Sequence, residues 1–191
     1  PKGFSPVKDP GGFQQKFAQV AQQITSLESD FTQVKHLDML KDQMNSSGKF
    51  YYKRANKVRI EYKKPFFYLM VLNQQDMMVK DEQKQSNFNT RSNKMMQSIN
   101  RVMIDCMSGN VYQNKDFSTT VSESNSEYLL TLTPVTTVMK KMFSRIEVYI
   151  GKQDFQVIRL NMVETGGDHS LMTFNNRINN KALDEKLFAT K

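Results

Sequence analysis

Antiparallel strands curled around a concave apolar face, with two amphipathic helices to cover it, are what the 191-residue sequence predicts. Three observations carry this. Alternation with a period of two fills most of residues 31–81 and again 117–178. Helical spacing is confined to one stretch near the N-terminus and one between Asn93 and Ile104. The segments between strands are short turns, which join neighbours antiparallel. About ten strands in so small a chain should curl, and the concave face must then be filled or capped.

Asp9-Pro10 before Phe13, Phe17, Val20, Ala21 and Ile24 predicts an N-cap and first-turn proline, opening an amphipathic helix that ends near Leu27. Residues 1–12 are expected to form a flexible N-terminal segment of one domain spanning 1–191. From Phe31 the period becomes two, with Phe50, Tyr52 and Arg54 on one face and Lys49, Tyr51 and Lys53 on the other. In the next strand Val58, Ile60 and Tyr62 segregate from Lys57, Arg59, Glu61 and Lys63 until Lys64-Pro65 ends it. The run "FFYLMVL" is apolar at every position, as in a strand covered on both faces, and a turn over 73–76 leads into "MMVKD". Met95, Met96, Ile99, Val102 and Met103 then form one helical stripe. After Ser108-Gly109-Asn110, strands are expected at 117–123, 127–133, 144–150, 155–163 and 169–178.

Composition narrows the function classes. A formal net charge of +8 favours acidic partners without choosing among them. No uninterrupted apolar run approaches the roughly 20 residues that span a bilayer. The lone Cys106 excludes an internal disulfide and reads as a small buried hydrophobe, while His36 and His169 read as solvated loop or strand residues. There is no glycine-rich phosphate loop and no zinc spacing, so neither cofactor nor metal is expected, and no catalytic constellation stands out. A single-strand nucleic-acid platform needs aromatics and cations on one exposed face, whereas residues 57–63 separate them. Arg54 shares the face of Phe50 and Tyr52, so its charge needs either an inward partner or a route to water at the strand end. Thirteen methionines and no tryptophan fit either an ordinary core or a compliant apolar lining.

Taken in order, these residues resemble the LolA family of periplasmic lipoprotein carriers. The resemblance rests on "DFTQVK" at 30–35 after the first helix, "GKFYYKRANKVRIEY" at 48–62, "KKP" at 63–65, "TLTP" at 131–134 and "KLF" at 186–188. Ala55 stands where the family usually has proline, and Asn73-Gln74-Gln75-Asp76 stands where it usually has an aspartate-glycine turn. The resemblance implies a mainly β fold, an incomplete, half-open antiparallel β-barrel of about 10–11 strands with an α-helical lid over a hydrophobic cavity. With strand parity, it implies a lipid-binding cavity lined by Phe50, Tyr52, Val58, Ile60, Tyr62, Leu69, Val71, Met77 and Val79, and a lid carrying Met95, Met96, Ile99, Val102 and Met103. Arg54 occupies the position that latches the lid in the family. The resemblance implies, in function, a monomeric, non-enzymatic periplasmic carrier of acylated lipoproteins. It would be loaded by an inner-membrane ABC transporter of the LolCDE type and unloaded to an outer-membrane receptor of the LolB type or to the outer membrane itself. The scaffold is similar, too, to LolB-like receptors and to other envelope lipid-binding or sensory proteins. The basic outer face with Lys57, Arg59 and Lys63 is expected to dock acidic partner surfaces or anionic headgroups, or simply to serve solubility.

Overall fold

The structure, a computed structural model, describes residues 3–54, 56–92 and 94–191, and for 94–100 the backbone alone. Helix α1 (Pro10–Gln23) opens as its sequence dictates: Pro10 sits in the first turn, and the Asp9 carboxylate accepts from the Gly12 N–H at 2.9 Å. Its apolar stripe buries Phe13, Phe17 and Ala21. It stops short of the expected Leu27, because Ile24 is already an extended C-cap and Leu27 belongs to the following strand.

Twelve strands are present among the described residues, against the 10–11 expected. They are β1 (Ser5–Pro6), β2 (Ser26–Leu37), β3 (Asp42–Lys53), β4 (Lys57–Lys64), β5 (Tyr68–Asn73), β6 (Asp76–Asp81) and β7 (Gln85–Asn89). After helix α2 (Lys94–Ser108) come β8 (Phe117–Glu123), β9 (Glu127–Pro134), the short helix α3 (Thr137–Lys140), β10 (Phe143–Gly151), β11 (Val157–Glu164) and β12 (His169–Asn179). The strands the sequence does not display are β1, too short to alternate, and β7, "QSNFN", polar except for Phe88.

All twelve form one antiparallel sheet in the order β1-β8-β9-β10-β11-β12-β2-β3-β4-β5-β6-β7. The chain runs from β2 to β7 as one meander and from β8 to β12 as another, and the two are joined where β12 pairs with β2 through Phe174 opposite Phe31. β1 and β7 are edges, and the sheet is not closed into a barrel. Gly48 shows how tightly the first meander is drawn: a Cβ there would collide with the Glu61 carbonyl oxygen, beside the register shift between β3 and β4. Gly109 ends α2 at φ 74°, with α1 so close that a Cβ would meet Ala21 at 2.8 Å.

The sheet has two apolar faces. Its concave face and the helices share one large core, including Phe31, Phe50, Val58, Leu72, Leu130, Val148 and Phe174. A second, smaller core lies on the convex face, where Leu183, Leu187 and Phe188 of the C-terminal segment cover Leu69, Val71 and Met78. His36 and His169 are neither loop residues nor fully solvated: they pair across β2 and β12 and stack with ring centroids 4.4 Å apart.

Candidate functional site

Strand parity assembles the site. In β3, β4 and β5 the register Phe50–Ile60–Met70 runs straight across the concave face, and on the other meander Leu160 lies opposite Met172. Phe50 and Phe174 meet edge to face at 5.1 Å, closing the floor between the two halves. Above them α2 presents Met103, Cys106 and Met107, an i, i+3, i+4 triplet on one helical face. Between roof and floor lies an apolar cavity of about 160 Å³, lined by Phe50, Ile60, Tyr62, Met70, Met103, Cys106, Met107, Val157, Leu160, Met162, Met172 and Phe174.

Among the described residues, no side chain in this lining carries a charge at neutral pH. Burial pushes the Cys106 thiol up to about 12, helped by the neighbouring Asp105 carboxylate, so it stays protonated and behaves as a small hydrophobe. Burial likewise pushes the Tyr62 phenol up to about 12, and its hydroxyl donates to Gln33 Oε1 at 2.7 Å at the cavity margin. Among the described residues no group of three or more His, Cys, Asp or Glu converges on a cation site.

Of the expected cavity residues, Phe50, Ile60 and Tyr62 line it. Tyr52, Val58 and Met77 are buried in the concave-face core and Val79 packs against it, but none of the four lines the cavity; Tyr52 lies beside a smaller gap against α1. Leu69 and Val71 do not belong there. In β5 the inward residues are Met70, opposite Ile60, and Leu72, opposite Val58, while Leu69 and Val71 face outward under the C-terminal segment. The run 66–72 is apolar at every position, so its parity is invisible in the sequence. Of the lid set, Val102 is buried and Met103 lines the cavity, whereas Met95, Met96 and Ile99 fall outside the described side chains.

The lining residues missed in the sequence come mostly from β11 and β12. Leu160 with Met162, and Met172 with Phe174, alternate with partly exposed neighbours, so the period-two signal was present once the inner parity was known. Cys106 and Met107 extend the α2 stripe by one turn beyond the expected end near Ile104.

Arg54 sits at the opposite end of β3 from the β2–β3 turn, and its guanidinium donates to the carbonyls of Gln22 and Ile24 at the C-terminus of α1, the latter at 3.3 Å. Those carbonyls lack intrahelical donors, so a cation there satisfies them and complements the helix dipole. The hydrogen bonds that hold Arg54 thus reach α1 rather than α2. Arg54 also borders a polar cleft of about 530 Å³ shared with Arg101, Asp105 and Ser108 of α2. The cleft is roomier than the apolar cavity but open and polar, which suits water better than an acyl chain.

The basic outer residues are largely engaged within the molecule. Lys57 and Lys53 both bind Glu185, at 2.5 and 2.6 Å, while Arg59 binds Glu61 at 2.7 Å and donates to the Leu187 carbonyl at 3.1 Å. Lys63 is the outward member that stays more than half exposed, 3.8 Å from Glu61. Lys53, Lys57 and Arg59 thus hold the C-terminal segment in place, a task beyond the docking or solubility expected from the sequence.

A comparison with curated protein sequences returns no match. Among solved structures, the chain is similar to an uncharacterized conserved protein from Thermus thermophilus, with a TM-score of 0.52 and 11% identity over 91% of each chain. It is similar, too, to a DUF1329 family protein from Desulfovibrio piger, with a TM-score of 0.51 and 15% identity over 97% of this chain and 98% of that one. The MucA/MucB complex of Pseudomonas aeruginosa gives a TM-score of 0.50 and 9% identity over 94% of this chain and 60% of that one. At such identities the likeness is one of fold alone. The family model for the outer membrane lipoprotein carrier protein LolA matches residues 22–191, from the end of α1 through the C-terminal segment that covers β5, and the chain belongs to the LolA family.

Proposed function

We propose that this protein is a periplasmic carrier that takes the acyl chains of lipoproteins into the cavity under α2 and moves them from the inner to the outer membrane, with no covalent step. The observation that carries the reading is the apolar cavity between both meanders and α2, whose described lining bears no charge, in a chain of the LolA family. Five of its twelve lining residues are methionines, whose unbranched thioethers repack around different chain shapes.

Each buried methylene contributes roughly 0.8 kcal/mol, so capture is easy and release is the harder step. The roof supplies the device. Met103, Cys106 and Met107 roof the cavity above Phe50 and Phe174. An incoming acyl chain packs against them and shifts α2 towards an open population. Loading would come from an inner-membrane ABC transporter of the LolCDE type and unloading would go to a LolB-type receptor or to the outer membrane.

Native mass spectrometry after exposure to a triacylated peptide tests the reading. A one-to-one adduct is expected for the wild type and a much weaker one for Ile60→Glu and for Met103→Glu, the latter at a position that is only partly buried and so tolerates the charge better. No adduct with the wild type, or equal retention by variants of native circular dichroism, would remove the cavity from the function. A protein that holds the peptide yet never delivers it to acceptor vesicles is a receptor or sensor, not a carrier.

A further inference from the structure

The exposed apolar side chains of this protein are not scattered. Eight large ones are exposed among the described residues, and all but Ile178 lie at one end of the sheet. That end is formed by the turns after β2, β4, β6 and β11 and by the α3 connection after β9, and hydrogen bonds tie the β2, β11 and α3 parts together. The Thr165 N–H donates to the Met142 carbonyl at 3.1 Å, and the Asp38 N–H donates to Asp168 Oδ1 at 3.0 Å. The β2–β3 hairpin projects on the β4 side: β3 loses its β4 partner beyond Ser47, so residues 42–46 carry the tip about 16 Å past the end of β4, while β12 and its turn flank it on the other side. Met39 and Leu40 at that tip are 93% and 69% exposed, and Phe66 on the neighbouring β4–β5 turn is 69% exposed.

Charge follows the same end. Lys41 adjoins Leu40, Lys63 and Lys64 precede Pro65-Phe66, and Lys140 and Lys141 follow Val138, all exposed. On these three apolar tips the acids are Asp38 and Asp42, the second of which accepts from the Gln43 N–H at 2.7 Å. At the same end the β6–β7 turn carries Asp81 and Glu82 and the β11–β12 turn carries Glu164 and Asp168, but neither turn bears an exposed large apolar side chain.

We infer that this end of the sheet is a membrane-docking face, on which Met39, Leu40 and Phe66 enter the headgroup region of an anionic bilayer while the flanking lysines meet its phosphates. Exposed apolar side chains beside Lys41, Lys63-Lys64 and Lys140-Lys141 match that boundary, where apolar burial and electrostatic attraction act together. The inference stands apart from the cavity reading, since none of these residues lines the cavity.

The absence of tryptophan makes the test clean. In a Leu40→Trp variant, vesicles of phosphatidylcholine with phosphatidylglycerol are expected to shift the emission to the blue, with quenching by brominated chains. Wild-type protein is expected to co-sediment with those vesicles, less in high salt. The Met39→Asp/Leu40→Asp double variant should lose about tenfold or more in partitioning, while Ile178→Asp at the far end should lose nothing. The double variant keeps the native melting point, because Met39 and Leu40 are already largely solvated. Equal co-sedimentation by the double variant overturns the inference, as does an unshifted emission from the Leu40→Trp variant. Leu40-dependent self-association in sedimentation velocity without vesicle binding overturns it in favour of a second copy of the chain. Acylated-peptide binding by the double variant separates this failure from failure of the carrier reading.

Discussion

At Arg54 a strand-end guanidinium meets the last carbonyls of α1, and the consequence is mechanical: the helix is tied to the β3–β4 turn next to the cleft that borders α2. Arg54→Leu removes charge-assisted bonds that are exposed to water, so a loss of about 1 kcal/mol is expected. For a chain of this length that is about 2–4 °C in melting temperature, with the fold retained. If tethering of α1 biases the roof, release of bound acylated peptide to acceptor vesicles should change in rate; wild-type transfer rates would leave Arg54 with a capping role alone. Parity placed Arg54 on the concave side and left its charge needing a partner or a route to water at the strand end; the side chain is exposed and also has partners, but which helix provides them was not legible, because the bond spans from residue 54 to residue 22. Leu69 and Val71 teach the complementary lesson. Their apolarity was legible and their direction was not, since both faces of β5 are covered.

Among the elements, the C-terminal segment does the least expected work. Phe188 is fully buried, the Asn73 side-chain amide donates to its carbonyl at 3.1 Å, and Glu185 bridges Lys53 and Lys57. Those two lysine hydrogen bonds hold the Glu185 carboxyl down at about 2, from an ordinary 4.5. A carboxylate depressed on folding contributes stability that is complete above its unfolded value and lost as pH falls through its folded one. Wild-type stability should therefore decline between about pH 4.5 and 2 more steeply than that of Glu185→Gln, with denaturant melts across that range as the check. Parallel slopes for the two proteins would show that the segment is held by its apolar contacts alone. The "KLF" triplet was legible as a motif without a task. Its packing against β5 depends on where a 3-10 turn at Glu185–Phe188 lands, which no local periodicity encodes. The long meanders, by contrast, were legible because each buries one face, and a one-residue slip would expose it.

Across the whole molecule, one antiparallel sheet of twelve strands bends until Phe50 and Phe174, from different meanders, touch beneath α2. The cavity is thus a product of curvature, and only part of its wall could be named from the sequence. Phe50, Ile60 and Tyr62 stood out against the charges of 57–63, while Leu160, Met162, Met172 and Phe174 needed the closure of β12 onto β2 to show which way they face. A triacylated peptide with a photoreactive diazirine at mid-chain, cross-linked and mapped by mass spectrometry, reports that wall in the loaded protein. Adducts are expected on residues from both meanders and on the roof, chiefly Phe50, Met103, Met172 and Phe174. Adducts confined to the outer face or to the polar cleft beside Arg54 would contradict an acyl-chain cavity beneath α2.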